Sequence, residues 1–255
     1  MAAADLIKQI FRPSLTVGVV YARVYGSNDA RLPIGNVLEL TVAHSEDKQQ
    51  HADMQRGGGG IAYELRRVKE STVSMKLADL NATNLARATQ SVLRGVESGT
   101  VTNEAHTATL GGLLRIAHIS PTSVIVKVGA TAQDATAVAL LGNYEVRAAG
   151  IYLLPDAVGI EDGDQLWISY SYGAYMVMEA LAASAVELEL TFEGMNEADS
   201  DKPQIVEIWR ASQGVTKSLA LISGKLGVLD VEGTLLADQT KTGVGISRYY
   251  RVSMG

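Results

Sequence analysis

Residues 186–193 read VELELTFE, apolar and polar residues in strict alternation. An extended chain turns successive side chains to opposite faces. Val186, Leu188, Leu190 and Phe192 therefore share one face, and Glu187, Glu189, Thr191 and Glu193 share the other. The same period recurs along most of the chain. LTVGVVYARVY at 15–25 reads as a strand from its Val and Tyr content, and the alternation marks NVLELTVAH at 36–44, where Leu38, Leu40 and Val42 oppose Glu39, Thr41 and Ala43. It continues through IAYELRRV and ESTVSMKL at 61–77, where Val73, Met75 and Leu77 oppose Thr72, Ser74 and Lys76. QIVEIWRA at 204–211, KSLALIS at 217–223 and LGVLDVEGTLL at 226–236 read as three further strands, and GVGISRYYRVSMG as a final strand or a tail. A chain patterned this way folds as a mainly β protein.

One segment breaks the pattern. DLNATNLARATQSVLR at 79–94 reads as a helix packed on a sheet, capped by Asn81 or Thr83, with Leu85, Ala88, Val92 and Leu93 as its stripe and Gly95 as its stop. Beyond it, alternating runs between 101 and 178 are punctuated by SPTS, LGN, PDAVG and EDGD. That rhythm predicts a small antiparallel sandwich of immunoglobulin-like size. The flanks look incomplete alone, so 1–95 and 180–255 are expected to form one discontinuous domain, with 96–179 inserted.

Between the strands at 36–44 and 61–68 lies EDKQQHADMQRGGGG, read as a long polar loop. It carries charge at Glu46, Asp47, Lys48, Asp53 and Arg56, and amides at Gln49, Gln50 and Gln55. His51 and Met54 lie among them, and Gly57, Gly58, Gly59 and Gly60 close it. Loops this long are usually functional or disordered.

Composition removes several classes of function. A net charge of −6 gives no basic field with which to grip nucleic acid. The absence of cysteine excludes disulfides and cysteine-zinc sites. No apolar run approaches the roughly 20 residues of a bilayer span, so no membrane partner is expected. MAAADLIKQIFRPS reads as a short amphipathic turn rather than a signal peptide, and Sec export is not expected. The histidines His44, His51, His106 and His118 are scattered without metal-ligand spacing. No nucleophile elbow, P-loop or dinucleotide fingerprint is present, so neither an enzyme nor a cofactor is expected. Asp199 and Asp201 are spaced like the start of a calcium loop, but the central glycine and closing glutamate are missing, which leaves a solvated turn. Tyr170, Tyr172 and Tyr175 in YSYGAY read as tyrosines on a sandwich surface, with a carbohydrate-stacking platform as the alternative.

The order of these segments resembles the major tail tube protein of long-tailed, siphovirus-like bacteriophages. GNVLEL at 35–40, the polar loop, SMKLADLNATNLARAT at 74–89, VELELTFEGMNEADSDKPQIVEIWRA at 186–211 and LGVLDVEGTLLAD at 226–238 carry the resemblance. It implies a tail-tube-type β-sandwich or barrel with one packed helix and an inserted Ig-like β-sandwich. It implies homohexameric rings that stack into a hollow tube around a tape measure protein. The tube would be capped by tail terminator and distal tail or baseplate proteins, with DNA only passing through the lumen. The chain would be assembled in the bacterial host cytoplasm and reside in the virion. By the same resemblance the segment Glu46–Gly60 docks on the neighbouring ring. Glu39, Thr41, Glu187, Glu189 and Thr191 would then face the lumen as an acidic wall that repels phosphates. Many members lack the insert or carry it at the C-terminus; here it is expected outside the tube. The other readings are a terminator or baseplate ring, and a β-sandwich module that binds glycans.

Overall fold

A computed structural model describes residues 13–55 and 57–255. The amphipathic turn expected in the first twelve residues, and Arg56 of the polar segment, lie outside the described residues. In chain order the strands are β1 (Thr16–Val24), β2 (Leu32–Pro33), β3 (Val37–Ala52) and β4 (Ile61–Leu77), then helix α1 (Ala82–Ala88). Next come β5 (Val92–Val96), β6 (Gly99–Thr107), β7 (Leu113–Arg115), β8 (Thr122–Val128), β9 (Thr136–Ala137), β10 (Tyr144–Arg147), β11 (Gly150–Leu153), β12 (Gln165–Tyr172) and β13 (Tyr175–Glu179). The last four are β14 (Glu187–Asn196), β15 (Lys202–Gln213), β16 (Leu229–Leu235) and β17 (Tyr250–Met254). The protein is mainly β. The chain divides into two compact units: one runs up to Val92 and resumes at Glu179–Gly255, and the other is Leu93–Met178.

The first unit is one eight-stranded sheet in the order β2-β1-β14-β15-β16-β4-β3, with β17 also paired to β15. β15 carries β17 along Gln204–Ile208 and β16 along Ala211–Gln213. Two leaves meet at that junction. Val20, Leu188, Leu190 and Ile208 from one leaf share a single apolar cluster with Val73, Met75, Leu229 and Val231 from the other. The sheet therefore folds over on itself, with α1 contributing Ala88 to the same core. Burying each such side chain contributes about 1.5–3 kcal/mol.

Four expectations change here. Leu38 leaves the core face, because β3 holds one extra residue between the pairs Val37–Leu77 and Glu39–Lys76. Val37 takes its place beside Leu40 and Val42, and Leu38 is exposed. The helix stops at Ala88, well short of residue 94. The Thr89 hydroxyl donates to the Leu85 carbonyl and Gln90 turns the chain at φ 48°, so Val92 and Leu93 open β5. KSLALIS is not a strand, whereas YRVSM is strand β17. The polar segment is mostly ladder rather than loop: β3 and β4 pair as far as Ala52–Ile61, and only the turn from Asp53 to Gly60 is left. Asp53 N–H closes that turn on the Gly60 carbonyl at 2.8 Å, and Gly58, Gly59 and Gly60 adopt positive φ values that a side chain would disfavour.

The second unit has two sheets, β6-β12-β8-β9 and β10-β11-β7, and a separate ribbon of β13 and β5. Leu166 and Ile168 of β12, Val126 of β8, Ile151 and Leu153 of β11 and Tyr144 of β10 share one core.

Candidate functional site

The polar residues of the alternating strands point away from the folded sheet's core. The three carboxylates expected at the lumen, Glu39, Glu187 and Glu189, are each ion-paired. Glu39 accepts from Lys76 Nζ at 2.6 Å across β3 and β4. Glu187 holds Arg210 through two bonds of 2.8 Å. Glu189, the most enclosed, meets Arg23 at 2.7 Å and Arg31 at 3.0 Å. The Lys76 ammonium holds Glu39 below the usual carboxylate range, and the Arg210 guanidinium does the same for Glu187. Ion pairs that face solvent, as Glu39–Lys76 does, contribute little to stability. Their effect is to balance charge.

The structure does not bring these residues onto one wall. Glu187, Glu189 and Thr191 lie on the outer face of the β1–β14–β15 leaf. Thr191 sits there between Tyr21 and Glu207. Glu39 and Thr41 lie on the outer face of the β3–β4–β16 leaf, opposite Lys76 and Ser74. Leu188 and Leu190 face Met75, Leu77 and Val231 across the interior, so the two outer faces look in opposite directions. Sequence alternation assigned each residue its face correctly but could not tell that there were two faces.

The β3–β4 hairpin is the second feature. From Ser45 outward both of its faces are largely exposed. One face carries a charged ladder in which Glu64 takes Arg66 and Gln50, with Glu46 at 3.7 Å from Arg66. The Arg66 guanidinium holds Glu64 below its usual range. His51 pairs with Tyr63, and Gln49 with Leu65, on the opposite face. Tyr63, Ile61, Val68 and Met54 are all well exposed.

A third cluster lies in the second unit. Tyr170 donates to Glu104 at 2.6 Å and lies 3.2 Å from His118 Nδ1, while His106 and the Ala117 N–H also bond Glu104. With the single Tyr170 proton given to Glu104, its oxygen accepts from His118 Nδ1–H. Tyr172 stacks on the His118 ring at 3.6 Å between centroids, and Tyr175 meets it edge-on. Tyr170 is buried rather than on the surface, so the three tyrosines do not form one open platform. The sequence signal that could have found this network is weak, because Glu104 and Tyr170 lie 66 residues apart.

Among the described residues no group of three or more His, Asp or Glu is arranged to hold a metal ion, and Asp199 is paired with Lys202. No helix among them is long and apolar enough to cross a membrane.

A family model described as "Protein of unknown function UCP028589" matches residues 13–253. The chain belongs to that family. The match spans residues of both compact units. No curated protein matches it.

Proposed function

We propose that this protein is the subunit of a siphovirus-like phage tail tube: it forms hexameric rings that stack into a hollow conduit for DNA. The observation that carries the reading is the long β3–β4 hairpin. A two-stranded ribbon standing in water is marginal by itself. This one extends well past the core and presents Ile61, Tyr63, Val68 and Met54 to solvent. Such an arm suits docking on another copy. The ends of the folded sheet add support, because among the described residues β3 pairs only with β4. Unpaired strand edges are templates for other chains, and closing them across subunits removes the edge. A head-to-tail contact closes into a ring, while contacts between rings extend as a filament.

In this reading the segment Glu46–Gly60 reaches the next ring as a hairpin with a glycine tip. Of the two outer faces, that of β3–β4–β16 suits the lumen better. Glu39, Asp230 and Glu232 outnumber Lys76 and Lys217 there, whereas the face with Glu187 and Glu189 carries an arginine for each of them. A conduit for DNA works best without cations free to hold phosphates. The inserted unit is read as an Ig-like sandwich. The remaining partners are the tape measure, terminator and distal tail or baseplate proteins, and the residence is the virion.

Electron microscopy of the concentrated protein tests the reading. Long tubes of stacked rings are expected. Replacing residues 46–69 with an Asn-Gly turn should leave a folded subunit that forms no tubes. Wild-type rings that close but never stack would favour a terminator or baseplate role, and a glycan-binding monomer would overturn assembly altogether.

A further inference from the structure

The segment between β15 and β16 is unusual for a folded chain. Leu221, Ile222 and Leu226 are 86%, 98% and 95% exposed. Large apolar side chains clustered in solvent mark an interaction surface. The segment is nevertheless pinned at both ends. Thr216 N–H donates to the Ala88 carbonyl at 2.7 Å and its hydroxyl to the Asp230 carbonyl at 2.8 Å. Leu219 packs on the core, and Gly227 lies against Leu80. Only the stretch between these anchors is left without a surface to rest on. Its sequence, KSLALIS, carries the strand pattern yet pairs with no strand among the described residues.

The same unit holds a complementary surface. A groove of about 430 Å³ opens between the two ends of the folded sheet, where Val17, Leu38, Leu40, Phe192 and Val206 alternate with polar Thr16, Asn36, Glu39 and Gln204. Strand edges flank it on both sides. Among the described residues β3 pairs only with β4, and β2 covers β1 only at Tyr21 and Ala22, which leaves Thr16–Val19 open on that side. A strand-forming segment unpaired among the described residues and a groove of mixed lining between open edges are the two halves of a strand-addition contact.

We infer that Lys217–Leu226 of one copy docks into the β1/β3 groove of a second copy, pairing along an open edge and burying Leu221, Ile222 and Leu226. The contact is head-to-tail, as ring closure requires. It rests on the tail tube reading and adds which segment closes the ring; the hairpin serves the separate contact between rings.

The test uses the full chain and two variants. L221S/I222S/L226S alters side chains that touch almost only solvent, so its melting temperature should match wild type. Its threshold concentration for assembly should rise at least about a hundredfold, given three aliphatic side chains lost from a contact. Because the chain has no cysteine, Leu38→Cys with Ile222→Cys reports the pairing directly. Oxidation of the assembled double variant should give covalent multimers of three or more chains, and either single variant at most dimers. Assembly of the triple serine variant at the wild-type threshold would overturn the inference and leave the tail tube reading standing. A disulfide confined within single chains would overturn it too, since the segment would then cover its own groove. Wild-type protein that stays monomeric would remove the tail tube reading itself, and this inference with it.

Discussion

Tyr170 shows how much can rest on one hydroxyl. It is buried in the second unit's core, yet its oxygen links Glu104 to His118. Burial, then the neighbouring Glu104 carboxylate, pushes its pKa far above 10. Burial works against ionised Glu104, but the bonds from Tyr170, His106 and the Ala117 N–H outweigh it and hold the carboxyl below its usual range. The signs of the two linkages differ. The Tyr170 contribution is intact below the unfolded tyrosine value of about 10 and fades as pH rises beyond it. The Glu104 contribution is present above the ordinary glutamate value of about 4.3 and is lost as pH falls through its lower folded value. The second unit should therefore be most stable between these limits. Tyr170→Phe should cost about 1–3 kcal/mol at pH 7, through the lost bond to the half-buried Glu104 carboxylate. Urea titrations at pH 7 and above pH 10 check both points, since the variant should also lose part of the alkaline decline. An unchanged midpoint at pH 7 would mean that water replaces the hydroxyl at no cost.

Strands in this protein are shaped by where glycine permits close approach. Gly18 of β1 faces Gly194 of β14 in register. A Cβ on Gly18 would fall 2.2 Å from the Glu193 carbonyl oxygen, which is backbone and cannot swing aside. Gly18→Val should cost about 1–3 kcal/mol in the first unit, as other overpacked sites do, and its urea midpoint should fall accordingly. A midpoint equal to wild type would show that the β1–β14 pair can spread without penalty. Strands whose one face is buried were legible from alternation, as with Val73, Met75 and Leu77 or Leu188 and Leu190. The outer half of the β3–β4 hairpin was not, because neither of its faces meets the core and no alternation is required of it. KSLALIS carries the pattern without a partner among the described residues, and pairing is a tertiary matter. The helix was drawn too long because Val92 and Leu93 fit its stripe, while the left-handed Gln90 that ends it has no sequence mark. The Leu38 bulge was equally hidden, since one extra residue reverses the facing of everything before it.

At the scale of the whole molecule, two separate cores make two cooperative units the natural expectation. The chain enters and leaves the second unit through β5 and β13, which pair with each other. A unit whose ends lie side by side in one ribbon can be inserted into a loop without straining its host. The host's own strands pair across the gap in sequence, since β4 lies against β16 from Leu77–Leu229 to Thr72–Thr234. Its core draws on residues from both sides of the insertion and on none within it. Replacing Leu93–Met178 with a short Gly-Ser linker should therefore remove one of two calorimetric transitions and leave the other within a few degrees of its original temperature. Loop closure supports this, because its entropic cost changes by only about 0.6 kcal/mol per doubling of length. The same shortened chain bears on assembly. The hairpin, the open strand edges and the exposed segment at Lys217–Leu226 all belong to the retained unit. If they make the ring and stack it, the shortened chain should still form tubes of unchanged axial repeat in electron micrographs. Folded subunits that fail to assemble would assign a contact to the inserted unit and return the question of ring closure to its surface.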